Sequence, residues 1–349
     1  MKKIAIFQYD LGLGGIQKSL INLLNNLNLD EYNIDLYLFS KENFYNVKMP
    51  TKINIIYLSP FAAICKIIPF KILIKYKKYH IEKEYDITID FNGYSNECAI
   101  AALETNSKKK IIWCHNDIVI KSKNEWKYNI LYNAFKTKYK YFDEIVNVSE
   151  GAKQSFIAKT KIDQKKVWSI PNYIDAEEII TKSKKENSFT VDNKKYNLVT
   201  VGRICHQKGF DILIEHMKNI VQQNKNVNLY IIGDGPDAPK IKKLVKRKKL
   251  QENVFFLGSQ KNPFEYMKKM DAFVITSRYE GQGMVILEAK VIGLPIFIPK
   301  HLEKYVEGIE GCINIEKDIL GAKKIEDKQV DYLNKYNYNI KEKIARLLS

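Results

Sequence analysis

The chain has 349 residues, of which 45% are hydrophobic and 28% are charged, and its formal net charge is +17. This composition excludes a disordered chain, and the length suits two globular domains of ordinary size. The positive charge favours an anionic partner, whether nucleic acid, anionic lipid or a phosphorylated small molecule.

The cysteines and the N-terminus indicate the compartment. Five cysteines occur without a CxxC pair or metal-type clustering: Cys65, Cys98, Cys114, Cys205 and Cys312. An odd number without such spacing favours reduced thiols and a cytoplasmic location. Asp10 interrupts the apolar N-terminal run, and no stretch reaches the roughly 18 apolar residues of a membrane span. Secretion and membrane spanning are therefore not expected.

The first predicted unit is a strand, a glycine loop and a helix. Residues 3–9 have strand composition, residues 10–15 read DLGLGG, and apolar residues then recur at helical spacing from Ile16 to Leu27. The loop lacks the full GxGxxG pattern and the Walker lysine. Gly15 can therefore lie in a phosphate-binding loop or in an ordinary structural turn.

The segment 61–80, FAAICKIIPFKILIKYKKYH, combines five lysines with apolar residues and contains no acidic residue. It is typical of contact with an anionic membrane surface. A helical pair that packs on the first sheet with solvated lysines is the alternative, and Pro69 interrupts any long helix. Both interpretations remain open.

Strand-like runs alternate with helix-like runs in both halves of the chain, which predicts parallel sheets and two Rossmann-like domains. The runs are 34–40, 53–59, 87–90, 110–115, 144–149, 228–235, 254–258, 272–277 and 294–299. His115 ends one of them and would project from the carboxyl end of a strand, although a lone histidine is more often structural. A polar stretch at 182–195, with Pro171 upstream, places the domain boundary around 171–195.

Two basic features follow in the second half. Arg203 and Lys208 lie five residues apart in the loop after the strand-like run 196–201, where arginine and lysine suit phosphate oxygens. A solvated basic loop is the alternative. The run 240–249 carries seven cations in ten residues. Because no aromatic residue interleaves it, a solvated helix face is preferred over a nucleic-acid site.

The segment 277–288, SRYEGQGMVILE, holds two glutamates around a glycine-rich loop. Gly281 and Gly283 permit tight backbone and close approach of a ligand, and the N–H groups at the start of the following helix can hold phosphate. Open α/β sheets bind ligands outside the carboxyl ends of their strands. Glu280 and Glu288 would then both face a ligand, and a solvated glutamate pair is the alternative.

Six motifs, in this order, resemble the retaining GT-B glycosyltransferases of family four, the group 1 type, over nearly the whole chain. They are GLGGIQKSL from Gly12, VSEGAK from Val148, IPNYID from Ile170, VGRICHQKG from Val201, IIGDGP from Ile231 and EGQGMVILEA from Glu280. The resemblance implies an α/β fold of two Rossmann-like domains that face a central cleft. Residues 1–172, with a C-terminal helix at about 334–349, would form the acceptor side, and 173–333 the nucleotide-sugar donor domain.

The resemblance also implies roles for single residues. Arg203 and Lys208 would pair with the donor diphosphate, and Glu288 would accept from the ribose hydroxyls. Glu280 would lie beside the donor sugar, and His115 would contact the sugar or polarise the acceptor site. Further donor contacts are implied for Gly15, Gly258, Ser259, Gly281, Gly283, Met284 and Val285, with the nucleobase near 258–261.

Two positions depart from the family pattern. Gln282 stands where the family more often has an aromatic or aliphatic residue, and Gly283 where proline is common. These departures bear on the fine shape of the sugar pocket and not on the reaction class.

The implied reaction is a retaining transfer of a sugar from UDP-hexose or UDP-N-acetylhexosamine, with GDP-sugars as the alternative donors. The acceptor would be a hydroxyl of a glycan or lipid-linked glycan in surface polysaccharide or glycolipid synthesis. The chain contains no Asp-x-Asp motif, which agrees with a reaction that needs no metal ion. The expected location is cytoplasmic, and peripheral contact with the inner face of the cell membrane remains open. A nucleic-acid-binding basic protein and an inactive sugar-nucleotide-binding protein are the alternatives.

Overall fold

The structure is a computed structural model that describes residues 1–12, 14–43, 50, 52–61, 68–76, 78–306, 312–315 and 329–349. The chain divides into two compact units. Unit 1 consists of Met1–Tyr173 and Tyr338–Ser349, and unit 2 of Ile174–Asn337. Each unit has a parallel sheet with helices packed on it and a hydrophobic core of its own.

Unit 1 is built on a seven-stranded sheet of order β3-β2-β1-β4-β5-β6-β7, in which the described strand pairs are all parallel. Its elements are β1 (Lys2–Gln8), α1 (Gly15–Asn26), β2 (Tyr32–Leu38), β3 (Ile53–Tyr57), α2 (Phe70–Leu73), β4 (Tyr85–Asp90), α3 (Asn96–Glu104), β5 (Ser107–Cys114), α4 (Ile118–Asn124), α5 (Trp126–Phe135), a 3-10 helix (Lys136–Tyr141), β6 (Glu144–Asn147), α6 (Glu150–Thr160) and β7 (Val167–Ser169).

Side-chain caps set the starts of helices that follow strands in unit 1. Ser95 accepts a hydrogen bond from the backbone N–H of Cys98 at 3.2 Å, ahead of α3. Asp117 accepts from two backbone N–H groups ahead of α4, at 3.0 and 2.9 Å. Ser149 accepts from Ala152 at 3.2 Å, ahead of α6. Each cap satisfies otherwise unpaired N–H groups and contributes about 1 kcal/mol, which fixes where the chain turns after each strand.

Unit 2 is built on a six-stranded sheet of order β10-β9-β8-β11-β12-β13, and its described strand pairs are also parallel. Its elements are α7 (Ala176–Ser183), β8 (Tyr196–Val201), a 3-10 turn (His206–Lys208), α8 (Phe210–Gln223), β9 (Val227–Ile232), α9 (Ala238–Arg247), β10 (Val254–Gly258), α10 (Phe264–Met267), β11 (Ala272–Val274), α11 (Met284–Ile292), β12 (Ile296–Ile298), a 3-10 helix (Lys300–Tyr305), β13 (Cys312–Asn314) and the start of α12 (Gln329–Leu348).

The sheet of unit 2 is buried on both faces, which explains why its strands read as continuous apolar runs. Along β8, Leu198 packs in the cluster that includes α8 and α9, whereas Val199 packs in the cluster that includes α7, α10 and α11. Successive residues of a strand point to opposite faces, so the helices divide between the two sides of the sheet.

Helix α12 begins in unit 2 and ends in unit 1, and Asn337 is the last residue of unit 2. The side chain of Asn337 accepts from the N–H of Ile174 at 3.2 Å and donates to the carbonyl of Ile174 at 2.8 Å. Ile174 is the first residue of unit 2. The two ends of unit 2 are therefore held against each other by one amide. In the described part of the chain, no helix has both the length and the apolarity that a bilayer crossing requires.

Candidate functional site

Loops of unit 2 meet at the carboxyl ends of neighbouring strands. The N–H of Gly233 donates to the carbonyl of Gly258 at 2.8 Å, and the N–H of Gly202 donates to the carbonyl of Ile232 at 2.9 Å. A Cβ at position 233 would lie 2.1 Å from the carbonyl oxygen of Gly202. Because no side chain tolerates that distance, glycine at 233 allows the loops after β8 and β9 to pack backbone against backbone.

The loop after β8 is also tied to the loop after β11. The hydroxyl of Thr276 donates to the carbonyl of Gly209 at 2.9 Å. Gly209 has a φ of +63°, and a Cβ there would lie 2.2 Å from the carbonyl oxygen of Thr276. Arg278 reinforces the tie, since its guanidinium donates to both carboxylate oxygens of Asp211 at 2.9 and 2.6 Å. That hydrogen bonding holds the pKa of Asp211 below its usual value.

An ion pair lies where these loops meet the start of α11. The Nζ atom of Lys208 is 2.6 Å from Oε1 of Glu280, and the side chains are 19% and 5% exposed. A carboxylate buried to this extent requires a partner, which Lys208 supplies. A Cβ on Gly202 would lie 3.7 Å from Cε of Lys208, and one on Gly283 would lie 3.7 Å from Cγ of Glu280. The pair is therefore enclosed by glycines on both sides.

Helix α11 starts directly after this loop. Its N-terminal residue is preceded by Gly283, which has a φ of +74°, and a Cβ there would lie 3.0 Å from Cδ1 of Ile286. The left-handed backbone therefore favours glycine, and a Cβ there would press on the end of the Ile286 side chain. Glu288 lies in the second turn of the helix and is buried. The helix N-terminus, with its positive end, and a buried carboxylate one turn further on suit a ligand that carries both phosphate and hydroxyl groups.

The predicted donor residues of unit 2 lie along this row of loops. The connection from β11 to α11 carries Glu280, Gly281, Gly283, Met284, Val285 and Glu288. Lys208 joins them through its ion pair. Arg203 lies in the loop after β8 with an exposed guanidinium, and no described carboxylate pairs with it. Gly258 and the exposed Ser259 lie at the other end of the row, after the edge strand β10.

Gln282, one of the departures from the family pattern, is buried and donates a hydrogen bond to the hydroxyl of Tyr336 on α12. Sequence reasoning connected Gln282 with the shape of the sugar pocket. Its amide contacts a helix more than fifty residues away in sequence. This contact fixes the loop between the two glutamates to α12 within unit 2.

His115 lies in unit 1, directly after β5. Its Nε2–H donates to the carbonyl of Phe91 at 2.7 Å, and the two rings are 4.6 Å apart. Burial lowers the pKa of His115 to about 4, so the imidazole is neutral at pH 7. With Nε2 as the donor, Nδ1 is left as an acceptor. His115 can therefore accept a hydrogen bond from a ligand but supplies no positive charge.

Gly15 is the first residue of α1 and is exposed, with open space around the position of a Cβ. The loop before it is organised by Asp10, whose Oδ1 accepts from the N–H of Gly12 at 2.9 Å and from Nε2 of Gln17 at 2.7 Å. The carboxylate of Asp10 places a negative charge in the loop that was expected to contact a diphosphate. Electrostatics therefore weigh against a phosphate bound close to this carboxylate.

Sequence reasoning missed a cavity of about 440 Å³ in unit 1, beside the carboxyl ends of β1 and β4. Tyrosines form much of its wall, and the Nζ atom of Lys121 lies 4.6 Å from the ring centroids of both Tyr94 and Tyr128. Asn96 and Glu97, at the start of α3, are buried in the lining. Their Oδ1 and Oε1 atoms have no hydrogen-bond partner among the described residues. The run FNGYSNE after the strand at 87–90 was the available signal.

Two charged groups are buried at this cavity or close to it. Lys138, which contributes to the lining, donates to the carbonyl of Gly93 at 2.6 Å, and burial lowers its pKa. Asp90 accepts from the N–H of Gly93 at 3.0 Å. Burial raises the pKa of Asp90 to about 6, with Lys138 acting in the opposite direction. Among the described residues, no group of three or more His, Cys, Asp and Glu side chains is arranged to hold a metal ion.

The segment that carries the row of loops matches the sequence model of a known protein family. Residues 181–306 match the model described as glycosyl transferases group 1. The matched segment contains the ion pair of Lys208 and Glu280, and it also contains Arg203 and Glu288.

Two curated relatives are similar in sequence. An uncharacterised glycosyltransferase of Methanocaldococcus jannaschii is 29% identical over 241 residues, which are 65% of this chain and 59% of the relative. The N-acetylgalactosamine-N,N'-diacetylbacillosaminyl-diphospho-undecaprenol 4-alpha-N-acetylgalactosaminyltransferase of Campylobacter jejuni is 27% identical over 310 residues, which are 86% of this chain and 81% of the relative.

Solved structures share the fold. HepE of Anabaena, in complex with UDP and glucose, superposes with a TM-score of 0.67 at 17% identity, over 100% of this chain and 99% of that one. WaaG, a glycosyltransferase involved in lipopolysaccharide biosynthesis, superposes with a TM-score of 0.63 at 14% identity, over 98% and 90%. With the two parallel sheets, these likenesses confirm the predicted GT-B fold class. In sequence, residues 181–306 are therefore similar to the group 1 glycosyltransferases.

Proposed function

We propose that this glycosyltransferase moves a sugar from a UDP-sugar to a hydroxyl of a glycan or lipid-linked glycan, with retention of the anomeric configuration and without a metal ion. The observation that carries the proposal is the buried ion pair of Lys208 and Glu280 beside the N-terminus of α11. At one edge of a parallel sheet it brings together a cation, a carboxylate that can accept hydrogen bonds from hydroxyl groups, and the backbone N–H groups of the first turn of α11. A sugar diphosphate needs this combination.

The names of similar proteins support the two substrates. HepE was solved with UDP and glucose, and the relative from Campylobacter jejuni is named for transfer of N-acetylgalactosamine to a diphospho-undecaprenol acceptor. A UDP-hexose or UDP-N-acetylhexosamine donor is therefore our first expectation, with a GDP-sugar second. We further propose a role in surface polysaccharide or glycolipid synthesis at the inner face of the cell membrane, and the diphospho-undecaprenol acceptor in the name of the Campylobacter jejuni relative supports it.

The proposed chemistry follows from charge. When the bond between sugar and diphosphate breaks, negative charge develops on the phosphate oxygens, and Lys208, Arg203 and the α11 N-terminus would stabilise it. Arg203 has an exposed guanidinium and is available for this task. Lys208 is already paired with Glu280. The ammonium group would therefore contact both the diphosphate and Glu280, and Glu280 would accept a hydrogen bond from a hydroxyl of the sugar. The departing phosphate would then take the proton of the acceptor hydroxyl.

Glu288 and the glycines along the row of loops would complete the donor site. The buried carboxylate of Glu288 would accept from the ribose hydroxyls, and the backbone at Gly258 and Ser259 would border the nucleobase. The open space at Gly258, where a Cβ would meet nothing within 4 Å, is consistent with a ligand that approaches the backbone.

The acceptor is proposed to bind in the cavity of unit 1. Tyrosine rings pack well against the apolar faces of sugar rings, and the unpaired Oε1 of Glu97 and Oδ1 of Asn96 can accept from sugar hydroxyls. Their burial without a partner is costly in the absence of a ligand. A polyhydroxylated acceptor would remove that cost.

A panel of UDP-sugars and GDP-mannose, scored by thermal shift and by release of the nucleotide, tests the donor site. We expect one UDP-sugar to stabilise the protein, and Glu288→Ala to weaken its binding by at least about tenfold, because a hydrogen bond to a buried carboxylate is lost. Glu252→Ala, an exposed acid of the same unit, is the matched control. Equal binding of all nucleotide-sugars by the Glu288 variant would refute the assignment.

The same panel separates the two alternative functions. Binding of a UDP-sugar without turnover in any acceptor mixture would indicate an inactive sugar-nucleotide-binding protein. Salt-sensitive binding of DNA or RNA that no nucleotide-sugar competes would indicate a nucleic-acid-binding protein.

A further inference from the structure

Helix α5 exposes large apolar side chains instead of burying them. Trp126 is 70% exposed and Ile130 is 61% exposed, and their spacing of four residues places them on one face of the helix. Leu131, next to them, is 42% exposed. Single exposed apolar residues are ordinary, but a tryptophan and an isoleucine together on one helix face mark a surface that is covered in function.

The elements next to α5 continue this surface. Helix α2 packs against both α5 and the 3-10 helix Lys136–Tyr141. Ile72 on α2 is 47% exposed, Tyr76 just after it is 66% exposed, and Tyr141 is 45% exposed with its ring 6.0 Å from that of the buried Phe70. We call the exposed side chains of Trp126, Ile130, Leu131, Ile72, Tyr76 and Tyr141 the α5 face.

Exposed lysines lie along the α5 face. Lys127, Lys136 and Lys140 are exposed within residues 126–141, and Lys71 and Lys75 are exposed within residues 68–76, and neither range contains an acidic residue. The Nζ atom of Lys127 lies 5.6 Å from the ring centroid of Trp126. The cations are therefore interleaved with the aromatic and aliphatic groups.

Helix α9 provides an internal comparison. It presents cations such as Lys243 and Lys246 to solvent, but its apolar residues Ile241, Leu244 and Val245 are buried in the core. The second basic run of the chain thus has positive charge without exposed apolar groups. The α5 face has both.

We propose that the α5 face docks on an anionic lipid bilayer. Trp126 and Ile130 would lie among the lipid headgroups, where amphipathic aromatic rings are favoured, and the lysines would contact lipid phosphates. A protein partner fits less well, because the cores of protein interfaces are depleted in lysine. Each lysine near an anionic membrane strengthens binding by about fivefold.

This inference rests on the proposed function, because docking on a membrane serves an enzyme whose acceptor is lipid-linked. The inner side of the same helix lines the cavity of unit 1 through Tyr128 and Tyr132. Docking of the α5 face would therefore bring the headgroup region next to the proposed acceptor pocket. Its test requires neither donor nor acceptor, so its failure and the failure of the donor assignment can be told apart.

The experiment is co-sedimentation of the full-length chain with vesicles of phosphatidylcholine, with and without about one third phosphatidylglycerol, over a series of salt concentrations. Two paired variants probe the face: Trp126→Ser with Ile130→Ser, and Lys127→Gln with Lys140→Gln. Lys243→Gln with Lys246→Gln on α9 is the charge-matched control, and Tyr338→Ser, at a side chain 61% exposed on α12, is the aromatic control. Thermal unfolding of each variant checks that it folds.

We expect binding to the anionic vesicles only. The apolar pair should weaken it by at least about tenfold and the lysine pair by about twentyfold, whereas the controls bind like the unmodified chain. Absence of binding to anionic vesicles would overturn the proposal, as would an equal loss in the α9 pair, which would mean that net charge alone acts. A dimer in solution that Trp126→Ser with Ile130→Ser dissociates, without vesicle binding, would assign the face to a second copy of the chain instead.

Discussion

Lys208 and Glu280 are 72 residues apart in sequence, yet Nζ and Oε1 lie 2.6 Å from each other at the edge of the unit 2 sheet. The carboxylate is the more deeply buried partner, with 5% of its side chain exposed against 19% for the lysine. The pair is therefore asymmetric. Water or a ligand reaches Lys208 more easily than it reaches Glu280.

This asymmetry predicts unequal effects of removing either partner. Lys208→Gln leaves an unpaired buried carboxylate and should lower the free energy of unfolding by about 3 kcal/mol, whereas Glu280→Gln should cost about 1 kcal/mol. Each variant should also lower the rate of sugar transfer by a factor of about 100 or more. Urea unfolding and the release of UDP measure the two effects.

Lys248→Gln is the matched control, because Lys248 pairs at 2.7 Å with Glu215, which is 51% exposed. A surface pair of this kind contributes at most about 1 kcal/mol. If Lys208→Gln destabilises the protein no more than this control does, the buried pair has no special role in stability.

Two glycines share a left-handed backbone but differ in the space around them, so their substitution separates the cost of a steric clash from the cost of backbone strain. Gly258 has a φ of +68° and open space around it, whereas Gly209 has a φ of +63° and the carbonyl oxygen of Thr276 2.2 Å from the position of a Cβ. Gly258→Ala should therefore cost only the left-handed strain, about 1 kcal/mol. Gly209→Ala should add the steric clash and cost about 3 kcal/mol or more. Equal unfolding midpoints for the two variants would contradict this packing.

The lowered pKa of His115 predicts a dependence of stability on pH. Between pH 6.5 and about 4 the unfolded chain binds the proton while the folded chain does not, so stability falls as the pH falls through this window. The total loss is about 3 kcal/mol. Asp90 acts oppositely, because its raised pKa of about 6 makes the folded state bind a proton first.

Comparison with His115→Asn separates the two groups. As the pH falls from 6.5 to 4, the free energy of unfolding should fall more in the unmodified chain than in the variant. Only the unmodified chain carries a histidine whose folded state resists protonation. His80→Asn, which removes an exposed histidine, is the matched control. Parallel profiles for the unmodified chain and His115→Asn would show that folding does not lower the pKa of His115.

The proposed independence of a metal ion is tested by chelation. Transfer assayed with EDTA and with added Mg²⁺ or Mn²⁺ should differ by no more than about twofold, because Lys208, Arg203 and the α11 N-terminus would supply the charge that a metal otherwise supplies. Loss of transfer in EDTA that Mn²⁺ restores would refute this part of the proposal.

The fold could be predicted from sequence because the central strands of both sheets are buried on both faces and read as apolar runs. The run 272–277 nevertheless exceeds the strand that forms, since β11 ends at Val274 and the remaining residues belong to the loop that carries the candidate site. The loops of the proposed donor site could be located from sequence because glycines and charged residues follow these runs directly. Lys208 and Glu280 were each identified, but their pairing was not, because it depends on how two distant loops pack.

Features that depend on tertiary exposure were less accessible. The cavity of unit 1 joins the start of α3 to α5, and no local pattern links Glu97 with Tyr128. For the segment 61–80, contact with a membrane and packing on the first sheet were both open from sequence, and its residues 62–67 and 77 lie outside the described residues. Trp126 and Ile130 gave no signal of their own, because an apolar residue on a helix reads as core until the fold shows which face stays outside.

The contact of Asn337 with Ile174 has a consequence for how this chain can be divided. The first and last residues of unit 2 are hydrogen-bonded to each other, and the chain of unit 1 continues on either side of them. Unit 2 is therefore an insertion into unit 1 in the order of the chain. Its removal would leave two chain ends to be joined. Proteins tolerate transplantation best where the ends of the moved piece lie together. Unit 2 alone should then fold and bind a UDP-sugar, and it could be exchanged as a cassette between enzymes to alter the sugar that is transferred.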